Sequence, residues 1–204
     1  MADVLVLAAH PHIENSRVNR VLAQAAATLN PRDVEVRDLY ALYPDYLIDI
    51  EAEQAALARA RLVVWQHPIH WYNMPALMKL WVDDVLTFGW AYGPGGEALK
   101  GKDLWLVAST GGPQDSYRPD SYNRYFFDAF LPPYEQTAEL CGMRFVPPLV
   151  MHGAHRVSDT ELDQHSRLYT SRLLSYPHWP ELADIEKPEE CAVPAEARPA
   201  EEPD

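Results

Sequence analysis

The chain has 204 residues, 48% hydrophobic and 11% aromatic, enough apolar material for one core with some chain to spare. Its net charge of −13 is the opposite of what nucleic acid or an anionic lipid surface attracts, so no nucleic-acid partner is expected. No run of about eighteen apolar residues occurs and no basic lead-in precedes the first apolar stretch, so neither a membrane span nor a secretory signal is expected, and the cytoplasm is the expected compartment.

Apolar strands alternate with helical patterns along the chain, the signature of an α/β domain with a mostly parallel sheet. Residues 4–9 form the first strand, after which Val18, Val21, Leu22, Ala25 and Leu29 recur at helical spacing. "VEVRDL" (34–39) is the second strand and "AEQAALARA" (52–60) a short helix. The third strand, "RLVVWQHP", ends at Pro68. The next helix opens at Pro75, a residue suited to a first helical position, with Leu77, Trp81, Val85 and Phe88 along one face. "DLWLVAST" (103–110) is the fourth strand, and an aromatic helical stretch is predicted over 122–140. "MRFVPPLVMHG" supplies a Pro-interrupted fifth strand, expected at a sheet edge. "SDTE" (158–161) is a capping box that opens the last helix.

Five strands separated by helices fit a flavodoxin-like doubly wound parallel sheet of order 2-1-3-4-5 with helices on both faces. The domain is expected over residues 1–180. From 181 to 204 the chain is acidic and rich in Pro, Glu and Ala without apolar periodicity, and is expected to be disordered. Of the two cysteines, Cys191 falls in that tail, and Cys141, in an apolar helical context, is expected to be a buried free thiol.

In this topology a ligand lies beyond the carboxyl ends of the strands, and three such ends carry unusual groups. At the first, Ser16 is placed to cap a helix, whose free N–H groups could hold an anion together with the Ser16 hydroxyl, the Asn19 amide and the His10 ring. Glycines, which a Walker or Rossmann turn needs here, are absent. The second end, "HPIHWYNMP", offers a Trp-Tyr pair in an ordered turn, an apolar wall with backbone N–H groups suited to a flavin ring. No metal is expected there, because no carboxylate or third histidine sits at ligand spacing to His67 and His70. The third, "STGGPQDSY", has two glycines that let backbone approach a flat ring. His152 and His155 are expected to be surface residues.

"HP…S..N", "QHPIHWYNMPALMKLWVDDVL..GWAYGPGG" and "STGG…SY" resemble the NAD(P)H:quinone oxidoreductase family of flavodoxin-like proteins, most of all its bacterial branch, the ancillary proteins of glutathione-regulated potassium-efflux systems. Within that branch "DLYALYPDYLIDI", "YNRYFFDAFLPPYEQTAELCGMRF" and "AHRVSDTELDQH" look closer to the KefG type, which partners the KefB antiporter, than to the KefF type. The resemblance spans residues 3–175. It implies flavin phosphate contacts at His10, Ser16, Arg17, Val18 and Asn19, and contacts to the flavin ring at Ile69, His70, Trp71 and Tyr72 and at Ser109, Thr110, Gly111 and Gly112. It implies FMN rather than FAD, NAD(P)H as hydride donor, a quinone as acceptor and a homodimer. Tyr117 matches a family tyrosine beside the flavin and is the expected catalytic residue. Asn123 stands where the animal enzymes have a histidine, and His70 replaces a common Gln.

Two functions follow as expectations. One is ping-pong two-electron reduction of quinones by NAD(P)H. The other is a flavin-binding regulatory subunit, weakly catalytic or non-catalytic, that activates a potassium/proton antiporter at the cytoplasmic face of the inner membrane.

Overall fold

The computed structural model describes residues 3–185. Five strands, β1 (Val4–Ala8), β2 (Val34–Asp38), β3 (Leu62–Pro68), β4 (Asp103–Ser109) and β5 (Arg144–Met151), pair in parallel in the order 2-1-3-4-5, as the alternation of strand and helix patterns requires. β1, β3 and β4 are buried along their whole length, which is why they read as continuous apolar runs. Within them the side chains still alternate: Leu5, Leu7, Val63, Trp65, Leu104 and Leu106 point into one core, Val4, Val6, Leu62, Val64, Trp105 and Val107 into the other. Residues of α2 (Leu39–Leu42), α3 (Ile50–Arg59), α4 (Ala76–Val85) and α5 (Pro132–Leu140) fill out the first core; α1 (Arg17–Ala27) and α6 (Asp159–Ser175) fill out the second. Among the described residues no helix is long and apolar enough to cross a membrane.

β5 lies at an edge, and its two prolines have a visible consequence. Trp105 pairs with Val146 but Val107 pairs with Leu149, so Pro147 and Pro148 sit in a register shift. There their missing N–H groups leave no ladder bond unmade. Ser158 caps α6 in the full reciprocal box with Glu161. Cys141 is buried and unbonded, and burial pushes its thiol up to about 12.

Three expectations need correction. The helix predicted over 122–140 is confined to Pro132–Leu140. Arg124 takes a φ of 62°, which breaks any helix there, and Phe127–Phe130 make a single 3-10 turn before two prolines open α5. Pro75 caps α4 rather than occupying its first position, and Phe88 lies beyond the helix, in a loop against Tyr92. Order also runs past residue 180: Leu182 is buried, and Arg144 donates to the Leu182 carbonyl at 2.9 Å. The remaining tail, with Cys191, lies outside the described residues.

Candidate functional site

Parallel order brings the carboxyl ends of β1, β3 and β4 to one rim of the sheet, and side-chain bonds tie them together. The first turn of α1 presents Asn19, almost fully buried, whose Nδ2 donates to Ser109 Oγ at the end of β4 at 2.8 Å. Gln66 of β3 donates to the Asn19 carbonyl at 3.0 Å and accepts from the Tyr169 hydroxyl at 2.9 Å. Ile69 donates its amide to the Ser109 carbonyl at 2.8 Å, and the rings of His10 and His70 lie edge to face with centroids 6.1 Å apart. The three junctions singled out in the sequence therefore form one locality.

Ser16 caps α1, accepting from the Asn19 amide at 3.1 Å. The amides of Arg17 and Val18, one and two positions into the helix, have no partner among the described residues and face outward with the positive end of the helix dipole. The Val18 side chain is buried in the core, so only its amide could meet a ligand. The Arg17 guanidinium turns away, bonding the Val157 carbonyl and Asp159 at the start of α6. Burial, then the neighbouring rings of His70 and His12, hold the His10 imidazole below its usual pKa. Replacing Ser16 by Ala is expected to cost about 1 kcal/mol through loss of the cap, measurable by urea denaturation.

The turn after β3 is tighter than its sequence announces. His70 and Asn73 exchange backbone hydrogen bonds at 2.8 and 3.0 Å, and the two residues between them, Trp71 (φ 49°) and Tyr72 (φ 65°), are both left-handed. This is a type I′ geometry, normally given to Gly or Asn. Two aromatic residues held there store strain of a kind that clusters at working sites. The Trp71 and Tyr72 amides have no partner among the described residues, and Trp71 is 93% exposed. Tyr72 stacks on Phe130 with centroids 5.1 Å apart.

The third loop is braced from β5. Thr110 donates its amide to the Met151 carbonyl at 2.9 Å, and Gly153 donates to the Gly112 carbonyl at 2.9 Å. The need for glycine at 112 comes largely from the loop itself: a Cβ there would lie 2.7 Å from Ser116 Oγ and 2.9 Å from the Tyr122 hydroxyl. At Gly111 the nearest atom, on His155, would be 3.6 Å away, so this is the position that stays open. Tyr117 is 8% exposed, packed edge-on against Phe127 and Phe130. Burial pushes its phenol up; the neighbouring Thr110 hydroxyl acts the other way, and Tyr122 and Tyr72 nearby add to the rise. Asn123 is engaged, donating to Ser116 Oγ at 2.8 Å and accepting from the Tyr72 hydroxyl at 3.4 Å.

His152 is not the surface residue expected. Its Nδ1 lies 2.9 Å from Thr110 Oγ1 and its ring packs against Tyr117 and Phe127. The signal for it was topological: it directly follows β5, at the same rim as the other three strand ends. His155, by contrast, is exposed.

The donor set fits a flavin phosphate. Unpaired helix amides, a hydroxyl and an imidazole meet at one end, and unpaired turn amides beside an aromatic face meet at the other. Among the described residues Asn19 Oδ1 is a buried acceptor without a partner, able to take a ribityl hydroxyl. Among the described residues no group of three or more His, Cys, Asp or Glu is placed to hold a metal.

Residues 2–173 match the family described as having a flavodoxin-like fold. The glutathione-regulated potassium-efflux system ancillary protein KefF of Citrobacter koseri is 45% identical over 173 residues, covering 85% of this chain and 96% of that protein. General stress protein 14 of Treponema denticola, solved in complex with FMN, is 38% identical with a TM-score of 0.78, covering 85% of this chain and 98% of that one. A structure described as a thermophilic tryptophan halogenase from Streptomycin violaceusniger is likewise 38% identical, with a TM-score of 0.79 over 83% and 98% of the two chains. An NADPH-quinone reductase of P. pentosaceus, at 23% identity and TM-score 0.72 over 84% and 96%, shares the fold.

Proposed function

Because the chain belongs to the flavodoxin-like fold family, and within it to the branch of the potassium-efflux ancillary proteins, we propose that it binds FMN and uses NAD(P)H to reduce quinones by two electrons. The observation that carries this reading is the convergence of unpaired amides at 17–18 and 71–72 on one sheet rim, linked through Asn19 and Ser109. A KefF relative at 45% identity supports the branch, and an FMN complex of a 38% identical protein supports FMN over FAD.

FMN supplies the hydride-carrying chemistry when bound. The chain's own work is to hold and shape. The Arg17 and Val18 amides, Ser16 and His10 would take the phosphate; Ile69 to Tyr72 and Ser109 to Gly112 would bracket the ring, with the Trp71 and Tyr72 amides, which have no partner among the described residues, as N–H donors to negative charge. The exposed Trp71 and the packed aromatic wall of Tyr117, Phe127 and Phe130 keep water from the reacting face. Tyr117 presents its hydroxyl to the quinone.

The test is direct. Purified protein is expected to be yellow or to take up added FMN, to bleach with NAD(P)H in the absence of oxygen, and to regain colour with menadione. Protein that neither binds FMN nor oxidises NAD(P)H overturns the reading.

A second role is compatible with the first and rests on the KefF likeness: a soluble ancillary subunit that docks on the cytosolic part of a potassium/proton antiporter, its acidic surface meeting a basic one. Antiporter flux that falls when this chain is deleted, and survives a variant without reductase activity, is the expected signature. The large exposed aromatics Trp71, Tyr122, Tyr125 and Phe126 beside the rim favour a homodimer that covers them.

Trp71 offers a sharper check. Replacing it by Gly removes a left-handed Cβ and no internal packing, so stability is expected to rise by about 1 kcal/mol. FMN affinity, read by quenching of flavin fluorescence, is expected to fall about tenfold. Equal affinity in the two proteins would take Trp71 out of the site.

A further inference from the structure

Asn123 cannot serve as a proton source: an amide does not titrate, and both its polar atoms are already bonded. Among the described residues the Tyr117 ring packs on His152 with centroids 5.3 Å apart, and the Thr110 hydroxyl acts on the Tyr117 phenol from one side and meets His152 on the other. Thr110 Oγ1 donates to the Gly112 carbonyl at 2.8 Å, so at the 2.9 Å contact with His152 the imidazole is the donor, through Nδ1–H. That leaves Nε2 as a lone pair on a half-buried ring within reach of solvent. Tyr117 is the titratable side chain in ring contact with His152, with Tyr72 and Tyr122 beyond it. His155 lies across Gly111, and among the described residues no carboxylate or cation bears on the His152 ring, whose pKa is lowered by burial.

We propose that His152, Thr110 and Tyr117 form a proton path from solvent to the oxygen of the bound quinone, with His152 as its entry. The inference rests on the reductase reading above and goes beyond it by naming the proton's source. Once the quinone has received its hydride, one oxygen carries the negative charge. The Tyr117 O–H bond breaks and an O–H bond forms on that oxygen. Tyr117 recovers a proton from the Thr110 hydroxyl, which swings from the Gly112 carbonyl; Thr110 takes the Nδ1 proton of His152, and solvent adds one at Nε2. The ring stays neutral overall, and exchange with solvent restores the first tautomer. In this scheme Tyr117 is catalytic, and His152 acts through it.

His152→Asn tests the role, because Asn can keep a donor near the Nδ1 position but cannot relay a proton. In the full chain with FMN, the expected result is unchanged FMN affinity, unchanged bleaching by NAD(P)H, and menadione reduction slowed about tenfold or more with its pH dependence flattened. Proton NMR of the same protein, with or without FMN, gives a readout free of turnover. The His152 titration is expected to move by about half a pH unit or more in both Tyr117→Phe and Thr110→Val. A titration that ignores both substitutions overturns the path, whether or not quinones are reduced. So does an Asn variant with wild-type rate and pH profile, or one that loses FMN together with rate, since either makes His152 structural. A chain intact by NMR in protein that reduces no quinone sinks the reductase reading instead, and the proton's destination with it.

Discussion

Replacing Glu53 by Ala is expected to destabilise the protein by about 3–5 kcal/mol, the range for removing one partner of a buried ion pair. Glu53 is fully buried in α3. Its Oε1 accepts from Arg37 Nε at 2.9 Å, from Arg37 Nη2 at 2.6 Å and from the Tyr43 hydroxyl at 2.5 Å, while Oε2 accepts from Trp81 Nε1 at 2.9 Å. One carboxylate thus joins β2, the end of α2, α3 and α4, the elements that close one face of the sheet. Truncation leaves a guanidinium with little access to solvent and two buried donors without an acceptor, each costing its own desolvation. Urea denaturation of Glu53→Ala and Glu53→Gln separates the terms: Gln keeps acceptor and shape while losing charge, and is expected to lose about half as much. A loss under about 1 kcal/mol in Glu53→Ala would show that the surrounding helices hold without it. None of Glu53, Arg37, Tyr43 and Trp81 is among the residues proposed to hold FMN, so FMN affinity of the folded fraction is expected to be unchanged.

This network also marks what the sequence could and could not reveal. Strand positions were legible because β1, β3 and β4 are buried on both faces and must be apolar throughout. Ser16 and the Ser158–Glu161 pair were legible because capping is local chemistry that a short motif specifies. Glu53 was not: in "AEQAALARA" it looks like any surface acid of an Ala-rich helix, and only tertiary contact with Arg37, Tyr43 and Trp81 gives it a buried role. The stretch 122–131 failed for the converse reason, as aromatic residues at helical spacing imitate a buried stripe. A left-handed Arg124 and the prolines at 132–133 decide the local path instead.

At the candidate site the residue types could be read but their postures could not. "HWYN" carries no glycine, so nothing local announces a type I′ turn; the strain at Trp71 and Tyr72 is imposed by the His70–Asn73 pairing and the fixed ends of β3 and α4. Arg17, expected among the phosphate contacts, sends its guanidinium to Val157 and Asp159, so only its amide is left to face that side. Gly112 keeps its importance for a different reason, the closeness of Ser116 and Tyr122. His152 was passed over because sequence distance from the other junctions hides a neighbour that parallel topology puts beside them.

Acid is expected to undo the fold from beneath that rim. His67, one residue before Pro68 at the end of β3, is fully buried and stacked on Tyr134 at 5.7 Å. Burial lowers its pKa from 6.5 to about 4. The neutral ring places Nδ1 2.9 Å from the Pro68 carbonyl, and its buried Nε2 has no partner among the described residues, so a second proton would put a charged N–H where none of them accepts it. In the unfolded chain the ring takes up a proton near pH 6.5; in the folded chain it resists until about 4. Between those values the unfolded state binds more protons, so stability is intact above pH 6.5 and falls as the pH drops towards 4. At about 1.4 kcal/mol for each pH unit the loss approaches 3 kcal/mol, and the half-buried His10 and His152 and the more exposed His70, also shifted down by burial, act in the same direction. Urea midpoints taken from pH 7 to pH 4 are expected to fall steadily in the wild type and to flatten in His67→Asn, which cannot titrate. Parallel slopes in the two proteins would mean that acid sensitivity arises elsewhere. Because His67 supports the strand end that carries the 70–73 turn, FMN release is expected to follow the same curve as unfolding and not to precede it.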